Sequence, residues 1–168
     1  NRHGYIDAVS WQPNGTVKSA RARASALACA RAFFSARQIL EVETPTLTRH
    51  ATMDANIESV VANLSGRDVF LHTSPEYHMK RLLAAGYPDI FQICRVFRDG
   101  EAGRYHLPEF SMVEWYRLGF GLQAIIRDSV EFIGGILGDR LVATEWIALN
   151  YQQAFEKAVG LNPFDANI

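Results

Sequence analysis

Two cysteines in 168 residues exclude a disulfide framework. Cys29 and Cys94 stand among apolar neighbours and read as buried free thiols of a reducing compartment. Charge of one sign is also lacking. Lys and Arg number 17 against 18 Asp and Glu, a formal net charge of -1, so bulk electrostatics supply no general affinity for nucleic acid. No apolar run approaches the roughly 18 residues needed to span a bilayer. The start Asn1-Arg-His-Gly-Tyr5 lacks the basic-then-apolar pattern of a secretory peptide. Asn14-Gly-Thr16 and Asn63-Leu-Ser65 fit the glycosylation triplet, but without an export signal they read as chance. The expectation is a cytoplasmic protein with no membrane attachment.

Several catalytic signatures are missing too. There is no Gly-x-x-x-x-Gly-Lys-Ser/Thr loop and no Gly-x-Gly-x-x-Gly after a strand, which closes the P-loop and Rossmann routes to nucleotide binding. No Gly-x-Ser-x-Gly elbow is present, and Ser74 has no evident triad partner. His72, His78 and His106 lack the i, i+4 pairing of a helical zinc site, and the cysteines lie too far apart for a knuckle. No protein-bound metal is expected in this stretch.

What remains is an ordinary globular composition, 48% hydrophobic and 21% charged, on a chain long enough to bury about two-thirds of its unfolded surface. Residues 1 to 15 read as an irregular lead-in. An alanine-rich helix is expected from Val17 to Arg37, with Ala20, Ala24, Leu27, Cys29, Ala30, Phe33 and Phe34 on its apolar face and Arg21, Arg23 and Arg31 off it. Gln38 to Glu43 reads as a short strand stopped by Thr44-Pro45. Residues 49 to 68 read as a polar loop with one strand near Ile57–Ala62, followed by a strand over Val69–His72. Ser74-Pro-Glu76 opens a helix through Tyr77–Ala85, with serine as N-cap, proline at the first helical position and Gly86 as the stop. Ile90–Phe97 and Phe110–Tyr116 are two long strands. Leu122, Ile126, Val130, Ile133 and Leu137 form a helical apolar stripe, and Tyr151–Val159 a last helix. Strands broken by helices of unequal length predict an α+β fold in a single domain over residues 1 to 168.

The loop between the two long strands concentrates groups that seek phosphate. Arg98 and Arg104 supply forked donors, His106 adds another, Phe110 offers a flat face for a base, and Gly100 and Gly103 permit tight turns. A solvated polar hairpin would account for the same composition. At Thr73-Ser-Pro-Glu76 a capping motif explains Ser74 and Glu76, while a pocket-facing Glu76 would neutralise an ammonium group. Glu114 and Tyr116 share one strand face, which suits a cation if buried.

These same residues resemble the class II aminoacyl-tRNA synthetases. Glu41-Val-Glu-Thr-Pro45 is similar to the end of their motif 1, and Phe97 to Phe110 to motif 2. Thr73 to Tyr116 matches the lysine-activating branch. Within it, Trp11-Gln-Pro13, Ser74-Pro-Glu-Tyr-His-Met-Lys-Arg-Leu-Leu83, Gly103-Arg-Tyr-His106, Glu109 to Arg117 and Asn150 to Phe155 resemble the lysyl-tRNA-synthetase-like ligases that modify a lysine of translation elongation factor P. The resemblance implies an antiparallel sheet flanked by helices, present as the N-terminal half of a catalytic domain. It also implies ATP with Mg²⁺, lysine or β-lysine and elongation factor P as partners, and a homodimer through the motif 1 helix. A tRNA synthetase would carry an anticodon-binding barrel before motif 1. Its absence makes tRNA an unexpected partner. A lysyl-tRNA synthetase fragment and a degenerate, non-catalytic amino-acid or partner-binding paralogue are the alternatives.

Carried over residue by residue, the resemblance places Arg98 on the α-phosphate and His106 on the triphosphate as catalytic groups. Asp99, Gly100, Glu101, Leu107 and Phe110 complete the ATP loop, with Phe110 stacked on adenine. Ser74, Pro75 and Glu76 hold the amino acid, and Glu114 and Tyr116 meet its far ammonium. The chain departs from the pattern where Arg98-Asp-Gly-Glu101 replaces Arg-Asn-Glu-Glu and where Leu107 replaces asparagine. Motif 3, its arginine and the metal-binding glutamates would lie beyond Ile168. A protein ending there would lack normal adenylate-forming activity.

Overall fold

The computed structural model describes Pro13, residues 15–138 and residues 146–165. The sequence-predicted lead-in lies almost entirely outside these residues. Helix α1 spans Val17–Ala36, opened by a capping box in which Thr16 and Ser19 exchange side-chain-to-backbone hydrogen bonds. It stops where Gln38 takes a left-handed backbone, φ 58°. That turn shortens the expected strand from Gln38–Glu43 to β1, Leu40–Glu41. Strand β2 is a two-residue piece, Leu47–Thr48, with no counterpart in the sequence expectation. The hairpin β3 (Val61–Leu64) and β4 (Arg67–Leu71) turns at Ser65 and Gly66, both at positive φ. The strand expected near Ile57–Ala62 therefore lies further along. Helix α2 covers Glu76–Ala84, followed by β5 (Ile90–Phe97), β6 (Glu109–Tyr116), α3 (Leu122–Leu137) and α4 (Tyr151–Val159).

The strands form two sheets. In one, β5 lies between a parallel β1 and an antiparallel β6, whose register runs from Ile90 opposite Tyr116 to Phe97 opposite Glu109. The other is antiparallel in the order β2-β4-β3. His72 joins them: its backbone N–H donates to Thr46, its carbonyl accepts from Phe97 N–H, and its Nε2 lies 2.7 Å from the Arg95 carbonyl. A carbonyl only accepts, so Nε2 carries the proton.

Period-two alternation gives the β5–β6 pair two distinct faces. Phe91, Ile93, Val113 and Trp115 turn towards α1 and α3 and close the core on Ala30, Phe34, Ile39 and Phe132. Phe34 stacks on Phe91 with centroids 4.3 Å apart and meets the Phe132 ring at 5.2 Å. The opposite face carries Gln92 and Cys94 of β5 beside Glu114 and Met112 of β6, with Met79 of α2 packed at the Ile90 end. This second face is the floor of the candidate site.

Two sequence expectations about burial are corrected. The α3 stripe faces the core only in part: Leu122, Ile133 and Leu137 are exposed and Ile126 and Val130 half-buried, while Asp128 and Phe132 are buried. The helix is turned so that Asp128 meets Arg37 at 3.5 Å and Arg117 at 3.1 Å, contacts that an apolar count cannot register. On α1, Ala20 and Ala24 are exposed, and packing is confined to the later turns around Ala30 and Phe34. Cys29 and Cys94 are free, as expected, but half-buried rather than buried. Among the described residues no helix is long and apolar enough to cross a membrane.

Candidate active site

Proline, not serine, occupies the N-cap of α2, and its ring is fully buried. The Ser74 hydroxyl nevertheless keeps the first-turn bond expected of a cap and adds a second partner. Its oxygen accepts from Glu76 N–H at 3.1 Å and its O–H donates to Glu114 Oε2 at 2.7 Å, across 40 residues of sequence. Tyr116 O–H donates to Glu114 Oε1, also at 2.7 Å. Both oxygens of the Glu114 carboxylate are thus held by neutral donors from two different elements. No cation pairs with Glu114 among the described residues. A half-buried carboxylate with fixed oxygens and no counter-ion is a receptor for a positive group.

A pocket of about 490 Å³ gathers Ser74, Glu76, Arg98 and Glu114. Arg98 follows β5 with its guanidinium 5.2 Å from the Phe110 ring centroid, Nε 3.4 Å from the Thr73 carbonyl and NH1 3.7 Å from Glu101. The loop behind it is tied by Arg98 N–H to Pro108 O and by Gly103 N–H to His106 O. Asp99 bridges to Glu58. Gly100 has φ 75°, a conformation in which any side chain is strained, although a Cβ there would meet nothing within 4 Å. The backbone at this point therefore favours glycine.

Other expected residues lie further out. His106 and Leu107 are exposed and, like Asp99, Gly100, Glu101, Phe110 and Tyr116, do not line this pocket, and Arg104 stacks over Tyr105 at 5.0 Å. Glu76 lines the pocket while also pairing with Lys80 at 2.5 Å, one turn along α2. Its hydrogen bond raises the Lys80 ammonium above the usual value. Pro75 is too deeply buried to touch a ligand in this conformation. Sequence reasoning missed Thr52, Met53, Asp54, Ile57 and Met112, which complete the wall. The first four sit in a loop without a motif. Met112 was legible as a neighbour of Glu114 on the same strand face.

Burial, then the bond to Glu114 and its charge, hold the Tyr116 phenol well above its ordinary range. Burial first, and Glu114 second, push the Cys94 thiol from 9.0 to about 11. Both groups keep their protons to higher pH in the fold than in the unfolded chain. The contribution of Cys94 to stability is therefore full below about pH 9 and lost as pH rises through about 11, while that of Tyr116 is lost only at still higher pH. Alkylation of Cys94 at pH 8 is expected to be about a hundredfold slower in the native protein than in urea, followed by peptide mass spectrometry. Equal rates would remove the burial argument.

A family described as "tRNA synthetases class II (D, K and N)" matches residues 4–165. The chain belongs to the class II tRNA synthetases. This class II domain is 40% identical over 167 residues to a protein of Sodalis glossinidius (strain morsitans) named elongation factor P--(R)-beta-lysine ligase, covering 96% of this chain and 50% of that one. A Pasteurella multocida (strain Pm70) protein of the same name is 42% identical over 163 residues, covering 94% and 49%. The chain thus spans about half the length of the curated relatives it matches. Among solved structures, the asparaginyl-tRNA synthetase of Pyrococcus horikoshii, complexed with asparaginyl-adenylate, aligns with a TM-score of 0.64 at 18% identity. That alignment covers 70% of this chain and 27% of the other, and it agrees with the α+β class II fold expected from the sequence.

Proposed function

We propose that this class II domain is the motif 1 and motif 2 portion of an ATP-dependent ligase that activates lysine or β-lysine and passes it to a lysine of elongation factor P. The observation that carries the reading is the Glu114 carboxylate, oriented by Ser74 and Tyr116 in a pocket shared with Arg98 and lacking a cation of its own. A lysine side-chain ammonium supplies that cation. The name carried by the relatives supports the same choice of substrate and acceptor over a tRNA synthetase or a non-catalytic paralogue. The chain acts in the cytoplasm, where its acceptor is made.

In this reading Glu114 and Tyr116 receive the far ammonium, and Ser74 and Glu76 the amino-acid end, with Pro75 fixing the backbone between them. Glu76 exchanges Lys80 for the substrate amine. Arg98 meets the α-phosphate and Phe110 the adenine, while His106 closes on the triphosphate with the loop Asp99-Gly-Glu101 and Leu107. A carboxylate oxygen of the amino acid forms a bond to the α-phosphorus, and the bond to pyrophosphate breaks. The acceptor amine then attacks the carbonyl carbon and AMP leaves. The domain contributes positioning and charge neutralisation rather than a covalent group. No cluster of three or more His, Cys, Asp or Glu among the described residues fits a metal ion, so no step is assigned to magnesium on these side chains. A second copy is expected to cover the exposed first turns of α1.

ATP–pyrophosphate exchange by the full-length protein tests the proposal, with β-lysine and lysine compared. Exchange with neither ends it. Glu114→Gln is expected to raise the KM for the preferred amino acid roughly 10- to 100-fold, the worth of one charged hydrogen bond, with the KM for ATP little changed.

A further inference from the structure

Three carboxylates and one guanidinium line the candidate site: Asp54, Glu76 and Glu114 against Arg98. Their partners differ. Glu76 is held by Lys80, whereas neither Asp54 nor Glu114 forms an ion pair among the described residues. The site therefore offers two unmatched negative groups. Asp54 is also oriented by its own loop. Its Oδ1 accepts from Asn56 N–H at 3.0 Å, closing a tight turn, and its carbonyl faces Ile57 N–H at 3.5 Å. Its Oδ2 accepts no hydrogen bond among the described residues. Further along, the Glu58 carbonyl accepts the Asp99 N–H at 2.9 Å, which fastens the same loop to the residue after Arg98. The wall that presents Asp54 is thus tied to the end of the site where the guanidinium lies.

Lysine and β-lysine each bring two ammonium groups and one carboxyl. The far ammonium and the carboxyl are common to both, and only the nearer ammonium moves, by one carbon. Discrimination between the isomers therefore has to act on the nearer ammonium or on the carbon that carries it. Glu114 and Tyr116 are engaged with the far ammonium, and Arg98 with the phosphate on the activated carboxyl. Glu76 meets the nearer group only by releasing Lys80. Asp54 has a carboxylate oxygen free and no cation to release. We propose that Asp54 is a specificity-determining residue of this site, which receives the nearer ammonium beside Glu76 and selects the carbon that bears it. The assignment rests on reading the domain as part of a lysine- or β-lysine-activating ligase, and it supplies the contact that separates the two substrates.

Asp54 is exposed and its hydrogen bonds are local, so Asp54→Asn keeps an acceptor for the turn and is expected to leave the melting temperature unchanged. In the full-length protein this variant is expected to weaken calorimetric binding of the preferred isomer about fivefold, a modest factor suited to an exposed carboxylate. Binding of ε-aminocaproate, which has the far ammonium and the carboxyl but no nearer amine, is expected to stay within about twofold. Glu114→Gln is expected to weaken both ligands. Asp54→Glu moves the charge by one methylene. It is expected to change the ratio of kcat/KM for β-lysine over lysine in ATP–pyrophosphate exchange about threefold or more, with the KM for ATP little changed. Unchanged binding of the preferred isomer by Asp54→Asn overturns the proposal. So does an equal loss for ε-aminocaproate, because Asp54 would then act on something other than the nearer ammonium. An isomer ratio unaltered in Asp54→Glu overturns the selective role. The calorimetric arms need no ATP. Absent exchange in the unsubstituted protein, with diamine binding that still depends on Asp54, counts against the ligase reading alone.

Discussion

Arg98→Ala in the full-length protein is expected to lower ATP–pyrophosphate exchange about 10³-fold, near the upper end of what one preorganised charge donor contributes to a transition state. That factor corresponds to about 4 kcal/mol. The guanidinium is already fixed before any nucleotide arrives. It sits over Phe110, touches the Thr73 carbonyl and leans on Glu101, with its side chain 22% exposed. Little ordering is left for the nucleotide to induce. Arg98→Lys keeps the charge but loses the fork, so it is expected to recover only part of the rate. The melting temperature separates this effect from simple unfolding. A loss of less than tenfold in a fully folded variant would take Arg98 out of the reaction.

How much of this site is legible in the sequence depends on the range of the interaction. Helices α3 and α4 and the strands β5 and β6 have signals carried by adjacent residues: an apolar repeat, Asn150 before a helix, alternating faces. Their bounds match the expectation to within a residue. The Arg98 and Phe110 pairing also follows, since both lie at the mouth of one hairpin. Ser74 is different. Its local context is a complete capping argument, and only the 2.7 Å bond to Glu114 reveals the other use of its hydroxyl. Strand β2 contains two residues and exists only because β4 passes beside it. The loop carrying Thr52 to Ile57 has no pattern at all, yet it walls the pocket. The buried face of α3 departs from the expected one because a buried carboxylate, rather than leucine and isoleucine, sets the rotation.

That buried carboxylate leads to the second large effect. Arg117 follows Tyr116 directly, and its Nε binds Asp89 at 2.8 Å while NH1 binds Asp128 at 3.1 Å. Side-chain exposures are 12% for Arg117 and 7% for Asp128, and Asp89 also accepts the Leu118 N–H at 2.7 Å. One guanidinium therefore ties the end of β6 to α3 and to the turn before β5. Arg117→Met is expected to destabilise the domain by about 3–5 kcal/mol, because it strands Asp128 in the interior with only the 3.5 Å contact to Arg37. The melting temperature is expected to fall by about 10 °C. Arg31 provides the contrast: its pair with Glu41 is 51% and 41% exposed, and Arg31→Met is expected to cost less than about 1 kcal/mol. Adding Asp128→Leu to Arg117→Met removes the stranded charge and is expected to restore part of the loss, since the penalty lies in the unpaired ion rather than in the missing bond. If the double variant melts lower still, the ion pair itself holds β6 in place. The orientation of Glu114 and Tyr116 would then depend on Arg117 as directly as on the hydrogen bonds between them.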